Sequence, residues 1–175
     1  MILNLFRKKQ DTEAVYAIYA AIVAQSRQPR FYADWGVPDT VTGRFDMICL
    51  HMALLFGRLR GENKQVDDFA QAVFDLFFKD MDRSLREMGV TDLGVPKKIQ
   101  KMGNIFYGLM TNLNEAMDKD DRAEVEAVIR RNLFDEADSA GVAPLAAYLF
   151  DERARLKTVP TATIVGGKLD LGAAA

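Results

Sequence analysis

The chain has one histidine, His51, and one cysteine, Cys49, and this scarcity excludes most catalytic and metal-binding arrangements. A single cysteine cannot form an internal disulfide, and zinc sites need sets of Cys and His ligands. Cys49 and His51 are two positions apart in a predicted helix, so they point to different faces and form no local catalytic pair. Glycine-rich phosphate loops and the G-x-S-x-G elbow are also absent. We therefore predict a protein that is not an enzyme and uses no cofactor or metal.

Long apolar runs are also missing, since no stretch approaches the roughly 18 residues that a membrane-spanning helix needs. The apolar start of the chain, residues 1–6, precedes the basic Arg7, Lys8 and Lys9, which is the reverse of a secretory signal. Two interpretations remain for this start: a short helix docked on the domain, or an interfacial contact with a membrane. The net charge of −2 gives no general reason to bind nucleic acid or acidic lipid, so any basic site must be local.

Only five of the 175 residues are proline, and apolar residues recur at helical spacing, so we predict an all-α fold. We expect a single compact domain of about six main helices, with a short N-terminal helix and an extended C-terminal tail. The tail, 158–175, follows the helical domain, 1–157, where β-branched residues and glycines replace the helical pattern. It either lies on the domain as a mobile or extended arm, or adds a strand to a partner. The predicted helices span residues 12–25, 40–59, 65–88, 96–117, 122–137 and 144–156.

The clearest helix boundary in the chain is the predicted end of one helix, followed within a few residues by the predicted start of the next. Gly89 suits the left-handed conformation that closes a helix, and Pro96 suits the first turn of the next one. Three lysines then occupy the first turns of that helix, where cations oppose the helix dipole. This cluster can receive a carboxylate or a phosphate, or it can pair with neighbouring acids and solvent. The lysines are Lys97, Lys98 and Lys101.

A wide apolar stripe on the predicted helix 65–88 is the second notable feature. Phe74 and Phe78 widen this stripe beyond what a solvated helix needs, which indicates deep burial or contact with a partner. Together with Met102 and Phe106 they would wall a pocket for a small lipophile such as quinone or haem. In a haem carrier, His51 or a methionine would be the axial ligand.

Acidic residues occur in two groups, which raises the question of a magnesium-dependent enzyme acting on prenyl diphosphates. Asp80 and Asp82 are two positions apart, so their side chains diverge on a helix. The second group, within residues 118–121, has the composition of a solvated turn. We therefore do not predict such an enzyme.

Several runs of sequence occur in a characteristic order and spacing. They are FDMICLH at 45–51, FGRLR at 56–60, FFKDMDRSLREMGV at 77–90 and DLGVPKK at 92–98, followed by Lys101–Met102 and Phe106–Tyr107–Gly108. Through these runs the chain resembles the ubiquinol–cytochrome c chaperone family over residues 31–150. The resemblance implies a non-enzymatic assembly factor for the respiratory cytochrome bc1 complex that binds newly made apocytochrome b.

The same resemblance implies further partners and a location. Mitochondrial members work with a small partner subunit and associate with the ribosome near its exit tunnel. We therefore expect apocytochrome b and the ribosome exit region as partners, together with peripheral association with a membrane. Mitochondrial members carry a targeting presequence, whereas this chain starts directly at Met1. We expect a bacterial member that acts in the cytoplasm, at the cytoplasmic face of the inner membrane.

The junction between the third and fourth predicted helices carries most of this resemblance, and we take it as the candidate partner-binding region. Its charged residues have a second interpretation as structural ion pairs, which applies equally to Asp46. The candidates are Asp80, Asp82, Arg83, Arg86, Glu87, Asp92, Lys97, Lys98, Lys101, Phe106 and Tyr107.

Overall fold

The computed structural model describes residues 2–137 and 139–172, with side chains from residue 11 onward. Every regular element within these residues is an α-helix, which confirms the predicted fold class. Six helices are long and two are short. They are α1 (Ile2–Ser26), α2 (Pro29–Ala33), α3 (Val41–Leu59), α4 (Lys64–Glu87), α5 (Val95–Asp118), α6 (Arg122–Leu133), α7 (Val142–Thr158) and α8 (Thr161–Val165).

Short polar side chains set the starts of three long helices. Thr40 caps α3 by accepting a hydrogen bond from the Gly43 amide, and Asn63 caps α4 in the same way. Asp121 caps α6. That helix ends at Leu133, four residues before the predicted end, because Asp135 and Glu136 adopt positive φ angles of 48° and 67°. A right-handed helix cannot continue through such residues.

Helix α3 lies at the centre of the molecule. It packs against α1, α4, α5, α6 and α7, and every residue from 45 to 55 is buried. Neighbouring helices surround it, so its apolar residues extend around the whole helix rather than along one stripe. Only its first turn is open, where Val41 is 66% exposed. The other long helices therefore form a shell that positions the surface residues.

The chain start is the beginning of α1, which runs without a break from Ile2 to Ser26. The predicted membrane contact of residues 1–9 lies outside the side chains that the structure describes. Across the described residues, none of the helices combines the length and the hydropathy needed to cross a bilayer.

The C-terminal segment differs from the extended arm that its composition indicates. It forms the short helix α8, whose Ile164 is fully buried against the core. Beyond α8, the amide of Gly172 donates a hydrogen bond of 2.8 Å to the carboxylate of Glu152 on α7. The described part of the segment therefore lies on the helical domain. The domain boundary at residue 157 remains a prediction.

Candidate partner-binding surface

The junction between α4 and α5 is built as the sequence predicts. Gly89 has a φ of +82° and follows the end of α4, and the Val90 amide bonds back to the Leu85 carbonyl at 3.0 Å. This pattern closes a helix with a glycine in the left-handed conformation. Pro96 occupies the first turn of α5. A loop of only a few residues therefore joins the two helices and fixes where their ends point.

The charged candidates on α4 form ion pairs along their own helix. Arg83 lies 2.5 Å from Asp80 and 3.7 Å from Glu87, while Arg86 lies 2.5 Å from Asp82. These are neighbours on one helix face, and their exposed pairs contribute little to stability. The interpretation as ion pairs therefore fits these residues, with pairs inside α4 rather than between helices.

Two further bonds link these ion-paired residues to parts of the chain outside α4. Asp80 accepts a hydrogen bond of 2.8 Å from the Tyr19 hydroxyl of α1, and Arg86 pairs with Asp92 in the loop. Burial, followed by the bond to Asp80, raises the pKa of Tyr19 far above its usual value. The Tyr19 hydroxyl is therefore a stable donor that ties α1 to α4. Asp46, by contrast, has no ion pair with any described residue.

The three lysines of α5 remain exposed and form no ion pair with the residues that the structure describes. The acids nearest to them along the chain, Glu87 and Asp92, already pair with Arg83 and Arg86. Lys97, Lys98 and Lys101 thus present uncompensated positive charge to the solvent, which a partner can use.

Exposed apolar side chains gather in the same region. Six large hydrophobic residues are exposed among the described residues, and four of them lie between positions 88 and 107. Exposed apolar residues that lie near one another in the chain are candidates for an interaction site, although Ile105 and Tyr107 are two positions apart on α5 and point to different sides of that helix. We define the α4–α5 surface by these residues and the lysines: Met88, Leu93, Lys97, Lys98, Lys101, Ile105 and Tyr107.

The two aromatic candidates have different positions. Phe106 is fully buried, with its ring centroid 5.7 Å from that of Phe74 and 6.0 Å from that of Phe77. It supports α5 from inside and cannot touch a partner. Tyr107 is 52% exposed, and its ring rests on Phe74 at 5.6 Å. A ring held this way offers a rigid apolar contact with little loss of entropy.

The predicted lipophile pocket is filled by its own walls. The rings of Phe74 and Phe78 lie 4.7 Å apart, and both contact Phe106. Met102 packs against the same cluster. A groove of about 700 Å³ lies elsewhere, between α1 and α4, and is lined by Tyr16, Tyr19, Ala20, Val23, Leu76 and other residues, but by none of these four.

His51 is unsuited to bind haem iron. It is buried, its Nδ1–H donates to the Met47 carbonyl at 2.7 Å, and its Nε2 accepts from the Tyr148 hydroxyl at 2.9 Å. Burial lowers the pKa of His51 to about 4 and keeps the ring neutral. Because both ring nitrogens are occupied, the histidine fixes α3 to α7 and has no lone pair left for a metal.

The acidic groups also differ from a magnesium site. Asp118 pairs with Arg60 at 2.7 Å and with Arg153. Within the described residues, no group of three His, Cys, Asp or Glu side chains is arranged to hold a metal ion. Of the aspartates considered for a diphosphate-binding enzyme, Asp80, Asp82 and Asp118 pair with arginines, and Asp121 caps α6.

The described chain is all-helical, and four of its six large exposed hydrophobic residues lie within residues 88–107. The chain belongs to the ubiquinol-cytochrome C chaperone family, whose model matches residues 33–171. This match confirms the resemblance found in the sequence. Membership of a chaperone family implies a non-enzymatic role.

Two relatives agree with this membership. The crystal structure of the Cbp3 homolog from Brucella abortus is 37% identical, with a TM-score of 0.89 over 99% of this chain and 98% of that one. The ubiquinol-cytochrome-c reductase complex assembly factor 1 of Xenopus laevis is 22% identical over 123 residues. That alignment covers 70% of this chain and 61% of the frog protein, which is less than two thirds of its length.

The candidates chosen from the sequence leave out three members of the α4–α5 surface, Met88, Leu93 and Ile105. Leu93 is 94% exposed at the loop and Ile105 is 36% exposed on α5. A signal for Leu93 was available, because a leucine placed just before a glycine in a short loop has no helix face to bury. Ile105 lies one position before the buried Phe106 and gives no comparable signal.

Proposed function

We propose that this protein binds apocytochrome b and supports assembly of the respiratory cytochrome bc1 complex. The observation that carries the proposal is family membership over most of the chain, combined with apolar groups that are exposed within residues 88–107. No part of the chain that the structure describes covers those groups, so a partner is their natural counterpart.

The chemistry of the α4–α5 surface suits a client that is itself a membrane protein. Such a client exposes apolar helices before it is fully assembled, and a chaperone must cover them reversibly. Met88 adapts its shape to irregular apolar surfaces, while Tyr107 provides a rigid ring. The neighbouring lysines add charge, which favours fast encounter and a soluble free state.

We further propose that the protein acts in the cytoplasm, near the cytoplasmic face of the inner membrane, where cytochrome b is made and inserted. The ribosome exit region is the corresponding site for an early encounter with the client. The charged candidates Asp80, Asp82, Arg83, Arg86, Glu87 and Asp92 then pair among themselves beside this surface and leave its positive charge to the lysines.

A deletion strain tests this proposal. Without the gene, we expect the assembled bc1 complex to be depleted while other respiratory complexes persist, and we expect the wild-type gene to restore it. Tyr107→Glu places a charge in the apolar contact, and loss of about 2 kcal/mol there weakens binding about thirtyfold. We therefore expect Tyr107→Glu to restore little bc1 complex at normal levels of the variant protein.

Tyr16→Glu is the matched control, because Tyr16 is 53% exposed and lies on α1, outside the α4–α5 surface. We expect this variant to restore the complex fully. A deletion strain with normal bc1 levels would refute the function, whereas equal restoration by both variants would refute the surface.

A further inference from the structure

Leu93 projects from the tip of the loop between α4 and α5. It is 94% exposed, so almost none of its side chain packs against the protein. Met88, at the other end of the same short segment, is 51% exposed. A single exposed leucine is common on protein surfaces, but the positive charge that follows Leu93 in the chain is not common.

The segment that begins at Leu93 is positive although the whole chain carries a net charge of −2. Residues 93–101 contain three lysines and no anion, which gives a net charge of +3. The two acids that precede this segment, Glu87 and Asp92, pair with Arg83 and Arg86, so no close ion-pair partner cancels the field of the three lysines.

We propose that this loop docks on an anionic lipid bilayer, with Leu93 entering the headgroup boundary and Lys97, Lys98 and Lys101 bound to lipid phosphates. An apolar residue flanked by cations is the pattern of a peripheral membrane contact. A free anion would satisfy the lysines but leave Leu93 in water. A protein partner would need a pocket shaped for one projecting leucine, whereas a bilayer accepts it without one. This contact rests on the proposed function, because it uses the loop and the lysines of the same α4–α5 surface, and the vesicle experiment tests it separately from cytochrome b binding.

The expected size of the effect follows from the attraction of one lysine to an anionic membrane surface. That attraction corresponds to about a fivefold gain in affinity, so three lysines together give about a hundredfold. Partial burial of Leu93 adds roughly tenfold. Binding should also weaken steeply with salt, because exposed charges are screened.

Co-sedimentation of the purified full-length protein with lipid vesicles tests the proposal. We expect binding to vesicles of equal parts phosphatidylcholine and phosphatidylglycerol, and little binding to phosphatidylcholine alone. The triple variant Lys97→Gln, Lys98→Gln, Lys101→Gln should bind the mixed vesicles about a hundredfold more weakly. Leu93→Asn should bind about tenfold more weakly, and since Leu93 makes almost no contacts, the variant should fold normally.

Matched controls change the same chemistry at other places. The triple variant Lys64→Gln, Lys119→Gln, Lys157→Gln removes the same charge from exposed lysines elsewhere, and Val41→Asn removes an exposed apolar residue. Both should bind like the wild type. A polarity-sensitive dye on Leu93→Cys should shift to the blue with vesicles, and the buried Cys49 will not compete for the label.

Three results would overturn the proposal. The first is equal binding to neutral and anionic vesicles. The second is unchanged binding by the lysine and Leu93 variants, which would assign the contact to another part of the chain, such as its basic N-terminus. The third is displacement by sodium phosphate that exceeds displacement by sodium chloride at the same ionic strength, which would indicate a site for free phosphate.

Discussion

Two buried ionisable residues on α3 respond to pH in opposite directions. Burial lowers the pKa of His51 from 6.5 to about 4. Burial, with a smaller contribution from the charge of Asp135, raises the pKa of Asp46 from 3.8 to about 7. Both residues are therefore neutral in the folded protein over the mildly acidic range, and both become charged on unfolding.

The signs follow from proton binding in the two states. Between pH 4 and 6.5 the unfolded chain binds the His51 proton and the folded chain does not, so this residue lowers stability as pH falls. Between pH 3.8 and 7 the folded chain holds the Asp46 proton, so this residue lowers stability as pH rises. The contribution amounts to about 3 kcal/mol for His51 and about 4 kcal/mol for Asp46 over their windows, so the two largely cancel.

We predict that removing either residue exposes the effect of the other. His51→Gln should lose about 3 kcal/mol of stability relative to the wild-type curve as pH rises from 4 to 7. Asp46→Asn should instead gain stability relative to the wild type over the same range. Urea denaturation at a series of pH values measures both slopes. Parallel curves for the three proteins would show that these groups do not titrate as their burial requires.

At the scale of the helix, one arginine joins α3 to the C-terminal segment. The Arg58 guanidinium donates to the carbonyls of Leu156 and Val159, at 3.0 and 2.9 Å, and to the Thr161 hydroxyl at 2.9 Å. It also pairs with Glu62. These carbonyls come from the end of α7 and the link to α8, where the backbone has few helical partners of its own. Arg58 therefore holds α8 in place.

Arg58→Met keeps the length of the side chain and removes its donors. We expect a loss of about 2–3 kcal/mol in stability, because partly buried carbonyls lose their charged partner. Hydrogen exchange of the amides at 159–168 should accelerate more than that of α3. Arg60→Met is the control, since Arg60 is 62% exposed and its pair with Asp118 is a surface one. Equal effects of the two substitutions would contradict the assigned role of Arg58.

The bounds of the long helices could be predicted where the chain carries residues that end or start a helix by themselves. Gly89 sets the end of α4 and Pro96 favours the start of α5 through their own backbone preferences, which need no tertiary information. The helix α8 could not be predicted in this way, because β-branched residues have low helix propensity. It forms where Ile164 is buried by other helices and Arg58 binds the preceding turn.

The sequence also could not predict which helices contact each other. A Cβ atom added at Gly57 of α3 would lie 2.1 Å from the Asn114 side chain of α5, so the two helices meet closely at this glycine. Asn114 bridges them by donating to the Ala53 carbonyl at 3.2 Å. Helical periodicity identifies which residues face inward, but it does not say which inward residues meet.

At the scale of the whole molecule, the sequence predicts a candidate site but does not assign roles to its residues. The order of motifs pointed to the α4–α5 junction, and family membership agrees with the function that the motifs imply. Only the structure separates the arginines and acids that pair among themselves from the lysines that face solvent. It also separates the buried Phe106 from the exposed Tyr107. These distinctions depend on burial, which is a property of the folded chain.

Site-specific crosslinking in cells tests the central claim most directly. A photoreactive amino acid at position 107 places the probe on the α4–α5 surface, and the same amino acid at position 16 places it on α1 with nearly equal exposure. After irradiation, immunoblotting for cytochrome b reports the adduct. We predict an adduct with cytochrome b from position 107 and none from position 16. An adduct from position 16 with none from position 107 would contradict the assignment of this surface.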